Sequence, residues 1–78
     1  MGATEIIKAL EKNPNMEFTS TELQNIMDCA ASSVRHALKN LFKDPLQPVE
    51  RRVLSFDEKK EKYGRVINPR IIVYWIGI

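Results

Sequence analysis

The chain has 78 residues, enough for one small domain, with 44% hydrophobic residues, 28% charged residues and a formal net charge of +2. No apolar run approaches the roughly 20 residues that a membrane-crossing helix needs, and the N-terminal MGATEIIKALEK lacks a basic segment ahead of an apolar one, so neither a membrane span nor a secretory signal is expected. Cys29 is the single cysteine, which excludes an intramolecular disulfide and a multi-cysteine metal site and suits a reducing, cytoplasmic setting.

Ala3 to Lys12 reads as a helix, because Ile6, Ile7 and Leu10 recur at helical spacing while Glu5, Lys8, Glu11 and Lys12 fall elsewhere. Asn13-Pro14 stops it. Met16-Glu17-Phe18 alternates apolar and polar residues and reads as a short strand. Thr19-Ser20-Thr21-Glu22 has the form of a capping box. The Thr19 hydroxyl accepts from the Glu22 amide, and the Glu22 carboxylate reaches back to the Thr19 amide. Phe18 and Leu23 are placed to form the accompanying hydrophobic staple. The helix that follows is expected to turn Leu23, Ile26 and Met27 inward.

Asp28-Cys29-Ala30 is the expected turn, and a further helix runs from about Ala31 to Lys43. Its buried stripe is Val34, Leu38 and Leu41, with Ala30 and Ala37 alongside. Ser32, His36, Lys39 and Lys43 are spaced by four, three and four and form an opposite stripe, with Arg35 at its edge. Asp44-Pro45 ends the helix, and Leu46-Gln47-Pro48 connects to a strand from Val49 to Phe56. Asp57 to Arg65, DEKKEKYGR, reads as a charged hairpin tip, with Tyr63 exposed. Val66-Ile67-Asn68-Pro69 continues or kinks the return. Arg70 to Gly77, RIIVYWIG, is the strongest strand signal. Tyr74 and Trp75 must point to opposite faces, as must Arg51 and Arg52.

The order helix, short strand, helix, helix, strand, charged loop, strand makes an α+β fold in a single domain, residues 1–78. Charge is distributed unevenly along it. Residues 1–28 carry two lysines against five acids, and residues 29–78 carry ten basic groups against five acids. An anionic partner would use such polarity.

The element order, and the segment TSTELQNIMDCAASSVRHALKNL in particular, resembles a winged helix-turn-helix domain of the kind found in many bacterial and archaeal transcription regulators. Glu22, Leu23, Met27, Val34, Arg35, Leu38 and Leu41 match the family's pattern. Asp28 stands where glycine is common, Cys29 where a small apolar residue packs under the turn, and Ala30 where Ser or Thr usually caps the second helix. Alanine cannot cap, a loss of about 1 kcal/mol. The resemblance implies a three-helix core, a C-terminal β-hairpin wing, and a short third strand between the first two helices.

The resemblance also implies duplex-DNA binding in transcription regulation, with the second helix of the motif in the major groove. Ser32, Ser33, Arg35, His36, Lys39 and Lys43 are then the recognition-helix candidates, offering hydroxyls, a guanidinium and ammonium groups to bases and phosphates. Lys59, Lys60, Lys62 and Arg65 in the wing either reach the flanking backbone or minor groove or form a merely solvated hairpin, since Asp57, Glu58 and Glu61 dilute them. A homodimer would use the first helix or the C-terminal strand. The competing reading is a protein-interaction adaptor, because winged helices also serve as modules in larger assemblies and an apolar last strand can pair with a partner's strand. Cys29 and His36 lack a third partner at useful spacing, and the sequence has no paired carboxylates in an apolar setting, no phosphate-binding glycine loop and no nucleophile elbow. Neither enzymatic activity nor a metal, cofactor or small-molecule ligand is expected.

Overall fold

The structure, a computed structural model, describes residues 3–65 and 70–77. Its elements are α1 (Ala3–Glu11), β1 (Phe18–Thr19), α2 (Ser20–Met27), α3 (Ala31–Leu41), β2 (Glu50–Val53), α4 (Phe56–Tyr63) and β3 (Ile72–Trp75). It is a small α+β fold of four helices and one three-stranded antiparallel sheet. The expected return through Val66-Ile67-Asn68-Pro69 lies outside the described residues.

Apolar periodicity drives the first helix into place. Ile6 and Leu10 are fully buried, and Ile7 packs partly against the same core. After the helix, Asn15 takes the left-handed conformation (φ 63°) that Asn tolerates. Its amide donates to the Ile76 carbonyl at 2.9 Å, tying the loop to the last strand.

The capping box at Thr19 is formed as its sequence requires. The Glu22 amide donates to Thr19 Oγ1 at 3.2 Å, and the Thr19 amide donates to Glu22 Oε1 at 3.0 Å. Phe18 and Leu23 are both buried as the staple. The strand preceding it is shifted from the expected position and covers Phe18–Thr19, so Thr19 is strand residue and cap together. Ile26 departs from expectation, since it is 48% exposed. Leu23 and Met27 lie about 40° apart around the helix axis and define the buried face, which leaves Ile26 on its flank.

Asp28 adopts the left-handed conformation (φ 49°, ψ 57°) in which glycine is common, and the turn closes. Cys29 is half-buried against the core. Ala30 is the N-cap of α3 and supplies no side-chain hydrogen bond. Val34, Ala37, Leu38 and Leu41 are buried, and α3 ends at Leu41, two residues before the expected boundary.

The charged segment expected to be a hairpin tip is instead the helix α4. Ser55 and Glu58 form a second capping box, with Glu58 N–H to Ser55 Oγ at 3.3 Å and Ser55 N–H to Glu58 Oε1 at 3.1 Å. Asp57 and Glu58 occupy the first turn and Lys60 and Lys62 the last, in favourable senses to the helix dipole. Gly64 closes the helix at φ 72°, where its missing Cβ removes the steric penalty. The strand ahead of it is correspondingly shorter than Val49–Phe56, because Phe56 belongs to the helix.

The sheet order is β1-β3-β2. Glu50 to Val53 run opposite Trp75 to Ile72, and Phe18 and Thr19 pair Tyr74 and Val73. The C-terminal strand is therefore central and paired on both sides, so it has no open edge for the pairing with a partner's strand that the adaptor reading expected; among the described residues the outer strands are β1 and β2. Tyr74 joins the main core with Phe42, at a ring-centroid distance of 5.9 Å. Val73, pointing the other way, is buried on the second face, which α4 covers through a link from Arg52 to Glu58. Among the described residues, no helix is long and apolar enough to cross a membrane.

Candidate nucleic-acid interface

The buried stripe of α3 fixes what its other side presents. With Val34, Leu38 and Leu41 facing the core, Ser32, His36, Lys39 and Lys43 are exposed along the outer side, and Arg35 is exposed at the edge. Ser33 is half-buried on the far flank. Among the described residues no carboxylate pairs with Arg35, His36, Lys39 or Lys43.

Beside Arg35 the surface opens into a cleft of about 590 Å³. Ser20, Thr21 and Gln24 of α2 form one wall, Arg35 and Lys39 of α3 another, and Arg51 of β2 the third, over Phe42 and Tyr74. The Arg51 guanidinium lies 4.2 Å from the centroid of the Phe42 ring, a cation–π distance. Burial pushes the Tyr74 phenol pKa up, with the Arg51 charge opposing it, so the phenol is neutral and contributes no competing anion. Among the described residues, three cations line this cleft and no carboxylate does.

Strand alternation puts Arg51 and Arg52 on opposite faces of β2, but nothing in the sequence pattern assigns Arg51 to this site. The signal that places it is sheet register, because Arg51 stands opposite Tyr74. Arg52 faces the other side and is neutralised there. It holds Glu17 through Nε at 2.6 Å and Nη2 at 3.0 Å, and Glu58 through Nη1 at 2.7 Å and Nη2 at 2.5 Å. The Arg52 bond holds the Glu58 carboxyl down to about 2, helped by the Ser55 amide, and the same bonds raise the Arg52 pKa further.

The remaining expected residues, placed on a wing, are not brought to this surface. Lys59 is 7% exposed, with its ammonium 4.8 Å from the Phe56 ring centroid. Lys62 bonds Glu22 at 3.2 Å. Burial pushes the Glu22 carboxyl up, but its bonds from Thr19 and Lys62 outweigh this and hold it below its ordinary value. Lys60 and Arg65 are exposed on α4 and just beyond it. None of these four cations lines the cleft beside α3, and Arg52, which bonds Glu58 of α4, points to the opposite face of β2 from Arg51. Among the described residues, no group of three His, Cys, Asp or Glu side chains is placed to hold a metal ion.

Compared with protein-family models, curated proteins and solved structures, the chain matches none.

Proposed function

We propose that this protein binds duplex DNA as a winged helix-turn-helix transcription regulator inside the cell, with α3 entering the major groove. The observation that carries the reading is the outer side of α3, where Arg35, His36, Lys39 and Lys43 stand exposed beside a cleft that, among the described residues, is lined by cations and no carboxylates. A short helix with this polar stripe, preceded by a capped helix and a tight turn, fits a groove about 12 Å wide. Arg35 offers the bidentate donor pair that guanine accepts, and Lys39 and Lys43 offer charge to phosphate. The antiparallel pairing of β2 with β3 supports a wing, with α4 between the two strands in place of a hairpin tip.

Selection of bound duplexes from a random pool tests this reading. A recovered consensus is expected, and a palindromic one would add a dimer. Enrichment of no duplex would count against it.

A second reading, an adaptor that binds protein, draws on a different surface. The outer edge of β2 is unpaired among the described residues, and Val53 and Phe56 beside it are 50% and 64% exposed. Loss of partner binding on Val53→Pro, with duplex binding retained or absent from the start, would favour it.

A further inference from the structure

Two consecutive arginines in β2 have opposite fates. Arg52 is held by two carboxylates on the face of the sheet that α4 covers. Arg51 has no carboxylate partner among the described residues, and its guanidinium carbon lies over the Phe42 ring, 4.2 Å from the centroid. It thereby faces the same cleft as Arg35 and Lys39. Three other clefts formed by described residues each include a carboxylate, from Glu17, Glu5 and Asp44 respectively. The cleft beside α3 does not, and it adds the hydroxyls of Ser20 and Thr21 and the amide of Gln24 on the opposite wall.

We infer that this cleft is a phosphate-binding site anchored by Arg51, and that its ligand is the phosphodiester backbone of the strand flanking the groove that α3 occupies. The inference rests on the duplex-binding reading for the identity of the ligand, and on the cleft itself for its chemistry. A phosphate group needs donors from several directions and positive charge without nearby anions. Here the donors come from two helices and a strand, and the aromatic face pre-orders the one guanidinium that the sheet supplies. A stacked guanidinium loses less side-chain freedom on binding than a free one, which is why Arg51 rather than a solvated lysine anchors the site.

The test is a salt titration of duplex binding by the wild type, Arg51→Gln, Arg51→Lys and, as a charge-matched control remote from the cleft, Lys8→Gln, each checked by thermal unfolding. Removal of one phosphate contact flattens the log–log salt slope by about 0.9 and weakens binding roughly tenfold at about 100 mM salt. Arg51→Gln is expected to do both and Lys8→Gln neither. Arg51→Lys is expected to keep the slope and lose part of the affinity, because it retains the charge without the stacked fork. An unchanged slope in Arg51→Gln, or the same change in Lys8→Gln, overturns the site while duplex binding itself stands.

If the wild type binds no duplex, the duplex-binding reading fails. The cleft is then tested alone by titrating inorganic pyrophosphate and following the Arg51 and Arg35 Nε–H signals by NMR. Shifts of both signals that saturate in the wild type, with the Arg35 shift lost in Arg51→Gln, keep a phosphate site whose ligand is a free phosphate. Signals that do not move overturn it.

Discussion

At the scale of single residues, small differences in placement decide chemistry. Arg51 and Arg52 are identical and adjacent, yet Arg52 binds two carboxylates and Arg51, with no carboxylate partner among the described residues, lies over an aromatic ring. Their opposite orientation was legible in the sequence from strand alternation alone. Which of them faces α3 was not, because that depends on pairing with Tyr74 across the sheet. Ala30 is the clearest case of a residue read correctly in advance. It caps α3 without a side-chain bond, leaving the first-turn amides of that helix without one. Ala30→Ser is expected to stabilise the protein by about 1 kcal/mol and raise Tm by about 4–8 °C, read by thermal unfolding. No gain would mean that those amides are already satisfied by other means.

At the scale of elements, local signals were reliable where they were short-range and complete. The Thr19 capping box, its staple and the Asp28 turn are each specified within a few residues, and each forms. Ile26 was misread because its place depends on how α2 lies on its neighbours, not on its own spacing. Leu23→Ala should therefore destabilise the fold by about 2–5 kcal/mol, whereas Ile26→Ser should stay within about 0.5 kcal/mol in denaturant unfolding.

The helix α4 was misread for a different reason. Ser55-Phe56-Asp57-Glu58 is as complete a helix start as Thr19-Ser20-Thr21-Glu22, but the dense charge and the glycine suggested a turn. Glycine here ends a helix. Lys59 is the only buried residue of α4, so ion pairs from Arg52 and Lys62 carry much of its attachment. Arg52→Gln should speed hydrogen exchange of the α4 amides while leaving those of Leu38 and Leu41 protected.

The same pair makes stability depend on pH. The folded pKa of Glu58 is held at about 2, below its ordinary 4.5. Its contribution is thus fully present above about 4.5 and is lost as pH falls toward 2. Arg52→Gln should flatten this part of the acid-side stability profile, measured by denaturant unfolding between about pH 6 and pH 3. An unchanged profile would show that the ion pair is not made in solution.

For the whole molecule, the sheet divides two environments. One face carries the apolar core under α1, α2 and α3, and its rim opens into the cleft of Arg35, Lys39 and Arg51. The other carries Val73 and Leu54 beneath α4 and is ringed by Glu17, Glu58 and Glu61. The basic excess of residues 29–78 was visible in composition, but composition joined the α3 and α4 cations into one set. Folding gives them different surroundings: among the described residues the α3 cations have no carboxylate partner, while Lys62 is paired and Lys59 is buried. Long-range pairing sorted these residues, which is why only part of the candidate site could be read along the chain.

On the duplex-binding reading, the exposed cations of α3 meet a nucleic-acid backbone. The most direct measurement of that contact is the affinity of the wild type and of an Arg35→Ala, Lys39→Ala double variant for a random-sequence duplex, followed by fluorescence anisotropy from about 50 to 200 mM salt. The account predicts measurable binding at the low end, a linear log–log decline with salt, and a slope flattened by about 1.8 in the folded double variant. Absence of binding at about 50 mM salt, or a slope that the double variant leaves unchanged, would contradict it.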